Sequence, residues 1–261
     1  MSAAPDALIA ELFQRFDALA LRSFRSIRAE MKKDGTTVTA VDREVSRVVT
    51  AALKAHTPEY GVISEEEAEA HLPTARWQWV VDPLDGTASF ARGYPVWGLG
   101  IGLMEGDRPA EGYLRFPALD ESYAFDGERL RFNGRPVPPL EPPAVGDTHN
   151  YLLDSSLHKR FQSFAPLREV KLRVFGSALY HLASLALGRA EAVICGRVHL
   201  WDLAAALPMT RAQGLVERYV DGSAFDLVEV LRAETYRVRL PLVLATPERI
   251  DRIVADLQPV L

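Results

Sequence analysis

The sequence predicts an α/β protein built in layers, and three observations carry that expectation. An apolar strand, Trp77 to Val81, runs directly into Asp82-Pro83-Leu84-Asp85-Gly86-Thr87, so acids stand at a strand's carboxyl end, where α/β folds place their chemistry. Strands with short Gly, Pro or Asp punctuation then follow one another, as in an antiparallel or mixed sheet. Beyond residue 148 the pattern changes, and strands alternate with helices.

The elements follow in order. Leu8, Ile9, Leu12, Phe13, Phe16, Leu19 and Ala20 recur at helical spacing and predict a long amphipathic helix over 6–29, broken by Lys32-Lys33-Asp34-Gly35-Thr36-Thr37. A second helix starts near Asp42, with Val45, Val48, Val49 and Leu53 on one face. Strands are expected at Gly98 to Met104, Glu111 to Phe116 and Ser122 to Phe125. The proline-rich run from Pro136 to Asp147 favours an extended connector. It divides the chain into an N-terminal α+β part (1–137), a connector (138–147) and a C-terminal α/β part (148–261). In the last part, strands are expected at 149–153, 170–175, 190–195, 215–220 and 242–245. A helix runs from Ser177, its N-cap, to Gly188, its stop. Pro208 falls inside the helix after Asp202, where it predicts a kink.

Composition narrows the function. At 261 residues the chain buries a substantial core, and 48% apolar with 25% charged residues is ordinary for a globular protein. A net charge of −5 supplies no basic field for nucleic acid or anionic membrane. One cysteine, Cys195, excludes an intramolecular disulfide and a zinc ribbon. With no signal-like N-terminus and no span-length apolar run, a cytoplasmic protein is expected.

Four acidic pieces carry the chemistry. Asp82 and Asp85, with a backbone carbonyl between them and the Thr87 hydroxyl beyond, offer a hard oxygen donor set suited to Mg²⁺. Asp42 follows Val38-Thr39-Ala40-Val41, Glu65 opens an acidic knot after Val62-Ile63-Ser64, and Asp202 follows Leu200-Trp201. Taken singly, Asp42 and Asp202 also suit helix capping, and Glu65 a solvated helix start.

In this order the pieces resemble the inositol monophosphatase family, Mg²⁺-dependent and lithium-sensitive phosphomonoesterases, over Leu8 to Leu257. The resemblance implies an α-β-α-β-α sandwich like that of inositol monophosphatase and fructose-1,6-bisphosphatase. It also implies two or three Mg²⁺ ions, a small phosphorylated metabolite as substrate, and a homodimer. By position, Glu65, Asp82 and the Leu84 carbonyl would hold one Mg²⁺, and Asp82, Asp85 and Asp202 a second. Asp82 bridges because cations about 4 Å apart need a shared anion. Asp42 and Thr87 would flank the attacking water with Glu65 beside them, and the Gly86 and Thr87 N–H groups would receive the phosphate. Substrate contacts are expected at Asp85, Gly86, Thr87, Ser177, Ala178, Cys195 and Asp202.

The ester itself is less fixed. Cys195 stands where inositol-specific members carry a polyol-binding glutamate, seven residues before the C-terminal aspartate, and a thiol is a poor hydrogen-bond partner. The Trp97-Gly98 wording resembles some histidinol-phosphate phosphatases, and Arg92 is a candidate for a second anionic group. Inositol monophosphatase activity is the first reading, and histidinol phosphate or another sugar or nucleotide ester the second. A regulatory binding protein on the same fold is the rival outside enzymology. Of the six histidines none has metal-ligand spacing; His181 reads as core, and His199 stands nearest the acids.

Overall fold

The structure is a computed structural model that describes residues 6–27, 29–31, 37–67, 75–141, 149–159 and 170–257. The expected break at Lys32 to Thr36, His71, and residues 142–147 of the expected connector lie outside the described residues. Two sheets organise the chain. The first has seven strands in simple order: β3 (Gly61–Ser64), β4 (Trp77–Asp85), β5 (Gly98–Glu105), β6 (Arg108–Phe116), β7 (Glu121–Phe125), β8 (Leu130–Phe132) and β9 (Arg135–Pro136). β3 pairs with β4 in parallel and every later pair is antiparallel, which fits the short connections between them. A small hairpin, β1 (Glu30–Met31) with β2 (Thr37–Val38), stands before it.

The second sheet joins β10 (Asn150–Leu153), β11 (Lys171–Arg173), β12 (Ala192–Cys195), β13 (Val216–Tyr219) and β14 (Leu242–Ala245) in the order β11-β10-β12-β14-β13. It is mixed: β10 lies parallel to both neighbours, and β14 antiparallel to both of its own.

Alternation along the strands assigns the layers, because successive side chains face opposite sides of a sheet. Trp79, Val81, Leu99, Ile101 and Leu103 face α1 (Asp6–Ser23) and α2 (Ala40–His56). Val80, Met104, Leu114 and Phe116 face a middle layer of α4 (Ala178–Ala186), α5 (Leu200–Ala204) and α6 (Leu207–Ala212). Val193, Cys195, Leu242 and Leu244 close that layer from the second sheet, whose far face (Ala192, Ile194, Val243, Ala245) packs on α8 (Pro247–Leu257). The order is α-β-α-β-α, as expected. Two short helices, α3 (Thr87–Arg92) and α7 (Leu227–Arg232), complete the described elements.

Three local expectations are corrected. The first helix stops at Ser23, not near 29. Arg25 adopts φ +68°, and Phe24 turns inward to stack on Phe90 and pack against Trp97. The second helix starts before Asp42: Thr39 is the N-cap, and Asp42 is its capping-box partner at N3. Pro208 does not kink a helix, because α5 has already ended and the proline sits in the first turn of α6, where its missing N–H costs nothing. The Ser177 cap stands as expected, with its hydroxyl accepting from the Tyr180 N–H at 3.0 Å, and Gly188 adopts φ +70° just past the helix end.

Candidate active site

β4 loses register with β5 between Asp82 and Asp85, where Pro83 supplies no N–H for the ladder. The resulting bulge sends both carboxylates toward the middle layer. Asp82 accepts the Leu84 N–H at 3.1 Å. Gly86 then takes φ +80°, and a Cβ there would meet the Val96 carbonyl oxygen at 2.8 Å, so this turn excludes a side chain twice over.

Asp202 reaches the same point from the opposite side. α5 begins at His199, whose ring stacks on Trp201 at 4.8 Å, and Asp202 at N3 accepts the His199 N–H at 2.6 Å. Asp202 is therefore not the N-cap itself but its capping-box partner. Oxygens of Asp82, Asp85 and Asp202 all lie within 4.8 Å of one another, the described group best arranged to hold a metal ion. Glu65, opening a short 3₁₀ turn after β3, is not in that tight trio, although its charge acts on Asp82 more strongly than that of any other acid.

What lets α5 come so close is a set of glycines that sequence reading passed over as ordinary strand residues. Gly100, Gly102 and Gly112 lie on the face of β5 and β6 that meets the middle layer, and Gly102 pairs directly with Gly112. A Cβ on Gly112 would stand 1.9 Å from the Ala205 carbonyl oxygen, and one on Gly102 would stand 2.6 Å from the Ala204 carbonyl carbon. The visible signal was Gly-x-Gly-x-Gly at 98–102, the strand period written in the smallest residue.

The electrostatics are those of anions forced together. Asp82 is 1% exposed, and burial pushes its carboxyl well above the usual range, with Glu65, Asp85 and Asp202 adding to the effect. Burial, then the Asp202 charge, raises Asp85 to about 7 against three hydrogen bonds that favour its anion. Those bonds come from the first turn of α4: the Ser177 hydroxyl, the Ala178 N–H at 3.1 Å and the Leu179 N–H at 2.9 Å. Ser177 thus holds a carboxylate as well as capping its helix.

Asp42 and Thr87 form a second unit. Thr87 Oγ1 lies 2.9 Å from both Asp42 Oδ1 and the Leu84 carbonyl, and its one proton serves one acceptor at a time. Asp42 is 1% exposed; the Thr39 N–H donates to its Oδ2 at 2.8 Å, and burial raises its carboxyl despite these bonds.

A cavity of about 170 Å³ opens beside the acids, its lining including Asp85, Asp202, Cys195 and Val198. Cys195 is buried at the end of β12, where burial pushes its thiol well above the usual range, so it is a protonated wall and not a nucleophile. His181 also lines the cavity, and its Nε2 accepts the Phe175 N–H at 3.0 Å. Sequence reading placed this histidine in the core, and it is 2% exposed. Asp154 and Arg197, which sequence reading missed, complete the wall. Arg92 is exposed at the end of α3. Among the described residues no helix is long and apolar enough to cross a membrane.

Comparison with known proteins places this arrangement in context. The inositol monophosphatase family model matches residues 5–258. The chain is 31% identical over 228 residues to a histidinol-phosphatase of Chlorobaculum parvum, covering 80% of this chain and 84% of that protein. It is 32% identical to a probable inositol 1-monophosphatase of Mycobacterium tuberculosis, covering 80% of this chain and 83% of that protein. Among solved structures, an inositol monophosphatase of Thermotoga maritima superposes with a TM-score of 0.82 at 21% identity, over 97% of this chain and 96% of the other. An IMPase/NADP phosphatase complexed with Mg²⁺ and phosphate gives 0.80 at 19% identity, over 97% and 94%.

Proposed function

Because the chain belongs to the inositol monophosphatase family and is a phosphoric monoester hydrolase, we propose that it cleaves a small phosphate monoester with Mg²⁺ held by Asp82, Asp85 and Asp202, Glu65 and the Leu84 carbonyl completing the shell. The observation that carries this reading is the convergence of three carboxylates within 4.8 Å, two of them with protonation favoured by burial and mutual repulsion. Such a donor set is all oxygen, and among the described residues no lysine or arginine pairs with it, the His199 ring 3.6 Å from Asp202 being its one basic neighbour, which fits a hard divalent ion. When bound, Mg²⁺ draws the phosphate oxygens in and lowers the pKa of a coordinated water.

The chain's own groups do the positioning. The Asp42 carboxylate takes the Thr87 proton into a hydrogen bond, leaving the threonine oxygen as an acceptor toward a water at the mouth of the cluster. A proton released by that water has a receiving path through Thr87 to Asp42, whose raised affinity for protons suits it to the task. The Gly86 turn packs directly against the Val96 and Gly176 carbonyls and so holds Asp85 and Thr87 in place. Cleavage of the P–O ester bond frees the leaving oxygen, which takes a proton from solvent and departs as the alcohol from the cavity that Cys195 helps to line.

The substrate sits between two readings, inositol 1-phosphate and histidinol phosphate, both represented among the similar proteins. The test is inorganic phosphate release with Mg²⁺ from these two esters, fructose 1,6-bisphosphate and 3′-phosphoadenosine 5′-phosphate. Release that disappears in Asp82→Asn supports the reading. No release from any of the four, with Mg²⁺ bound, contradicts it.

A further inference from the structure

Resting on the phosphatase reading, we infer that Asp154 is a specificity-determining residue and that the preferred ester is that of a small amino alcohol, its ammonium group meeting the Asp154 carboxylate. On the phosphatase reading the phosphate goes to Asp85 and Asp202, which leaves the alcohol the rest of a lining that includes His181, Cys195, Val198 and Asp154.

That remainder is poorly equipped for a polyol. Cys195 and Val198 offer no strong hydrogen-bonding group, and the His181 Nε2 is already spent on the Phe175 N–H. A hydroxyl placed against Cys195, Val198 or the His181 Nε2 would be left unpaired, a cost to binding.

Besides Asp85 and Asp202, Asp154 is the carboxylate of this lining, which also holds Ser155 and Arg197. It follows β10, and its two oxygens each accept one backbone N–H: Oδ1 from Ser156 at 2.7 Å and Oδ2 from Arg197 at 3.1 Å. These bonds tie the turn after β10 to the turn after β12 and fix the carboxylate at the cavity wall. Its own N–H is bound to the Ile194 carbonyl at 3.0 Å, so the residue is anchored on three sides. Among the described residues it has no ion-pair partner, yet its charge acts on Cys195 more strongly than those of Asp202 and Asp85, and it also acts on His181. Asp154 thus lines the same cavity as Cys195 and His181.

A carboxylate with remaining lone pairs is an acceptor only. A group with donors alone and a positive charge complements it best, and an ammonium is that group. Arg197 also lines the cavity but is exposed, so solvent screens its charge.

The test compares matched esters and uses the ratio of their kcat/KM values. Histidinol phosphate and phosphoethanolamine are set against their deaminated counterparts, imidazolylpropanol phosphate and ethyl phosphate, with inositol 1-phosphate alongside. The wild type is expected to favour each amine at least tenfold, and Asp154→Asn to reduce that preference at least tenfold, through KM more than kcat. An independent readout needs no variant: free histidinol should compete with substrate at least tenfold better than imidazolylpropanol. Hydrolysis of the esters with no preference for the amine, or a preference unchanged in a folded Asp154→Asn, overturns the inference and leaves the phosphatase reading standing. If Asp154→Asn does not fold, equal competition by the two free alcohols overturns it. Absence of hydrolysis from every ester overturns both.

Discussion

Replacing Gly112 with alanine tests how the site is assembled. The added Cβ would lie 1.9 Å from the Ala205 carbonyl oxygen and 2.8 Å from its carbon. Both are backbone atoms, so no side-chain rotation relieves the contact. An ordinary tight contact needs roughly 3.2 Å, which requires α5 and β6 to separate by about 1.3 Å. Asp202 rides on α5, three residues before Ala205, whereas Asp82 and Asp85 are fixed to the sheet. Functional constellations tolerate displacements of only about 0.5 Å, and a misplacement near 1 Å costs about 100-fold in rate. Overpacking of a tight core costs about 1–3 kcal/mol, a fall in Tm of roughly 2–12 °C for a chain this size. The assay pairs differential scanning calorimetry with Mg²⁺-dependent phosphate release. The expected result is a Tm several degrees lower and kcat/KM down about 100-fold. A Tm within 1 °C of wild type and activity within twofold would refute the claim that the glycine face sets the position of Asp202.

Three further outcomes are expected. Asp82→Asn keeps the oxygen that accepts the Leu84 N–H and removes a repelled, buried charge, so in EDTA at pH 8 its Tm should equal or exceed that of wild type while activity is lost; a large fall in Tm would contradict this. Thr87→Val leaves both the Asp42 carboxylate and the Leu84 carbonyl without their shared donor, and should lower kcat by about 10²–10⁴-fold, with Thr87→Ser recovering most of it. His181 is buried with its affinity for protons lowered to about 4, first by desolvation. Its folded value lies below the unfolded one, so its share of stability is intact above about pH 6.5 and is lost as pH falls toward 4, by about 3 kcal/mol at most. In urea titrations from pH 4 to 7, the difference in unfolding free energy between wild type and His181→Gln, whose amide oxygen can still accept the Phe175 N–H, should show that slope.

Asp85 works in the opposite direction. Its folded value near 7 exceeds the unfolded one, so the metal-free protein should lose stability as pH rises from about 4 to 7. Comparing His181→Gln with wild type at each pH separates the two contributions.

Much of this was legible in the sequence because it is local. The Asp82 to Thr87 hexapeptide encodes its own bulge, left-handed turn and hydroxyl, and α1 declares itself through its apolar spacing. The Ser177 cap is likewise a matter of one residue and its third neighbour. What escaped depends on partners distant in the chain. Gly100, Gly102 and Gly112 look like weak strand residues until α5 lies across them, and Asp154 looks like a turn aspartate until β12 brings Cys195 and Arg197 to its side. The end of α1 was misread for the same reason: Phe24 leaves the helix for Phe90 and Trp97, about seventy residues away. Helical spacing continues through such a residue, and only packing tells where it turns.

The most direct test of the central claim is calorimetric titration of Mg²⁺ into the metal-free protein at neutral pH. The account predicts saturable binding to wild type, weakened at least about tenfold in both Asp82→Asn and Asp202→Asn. Equal affinity in wild type and both variants would contradict it and place the metal elsewhere than between β4 and α5.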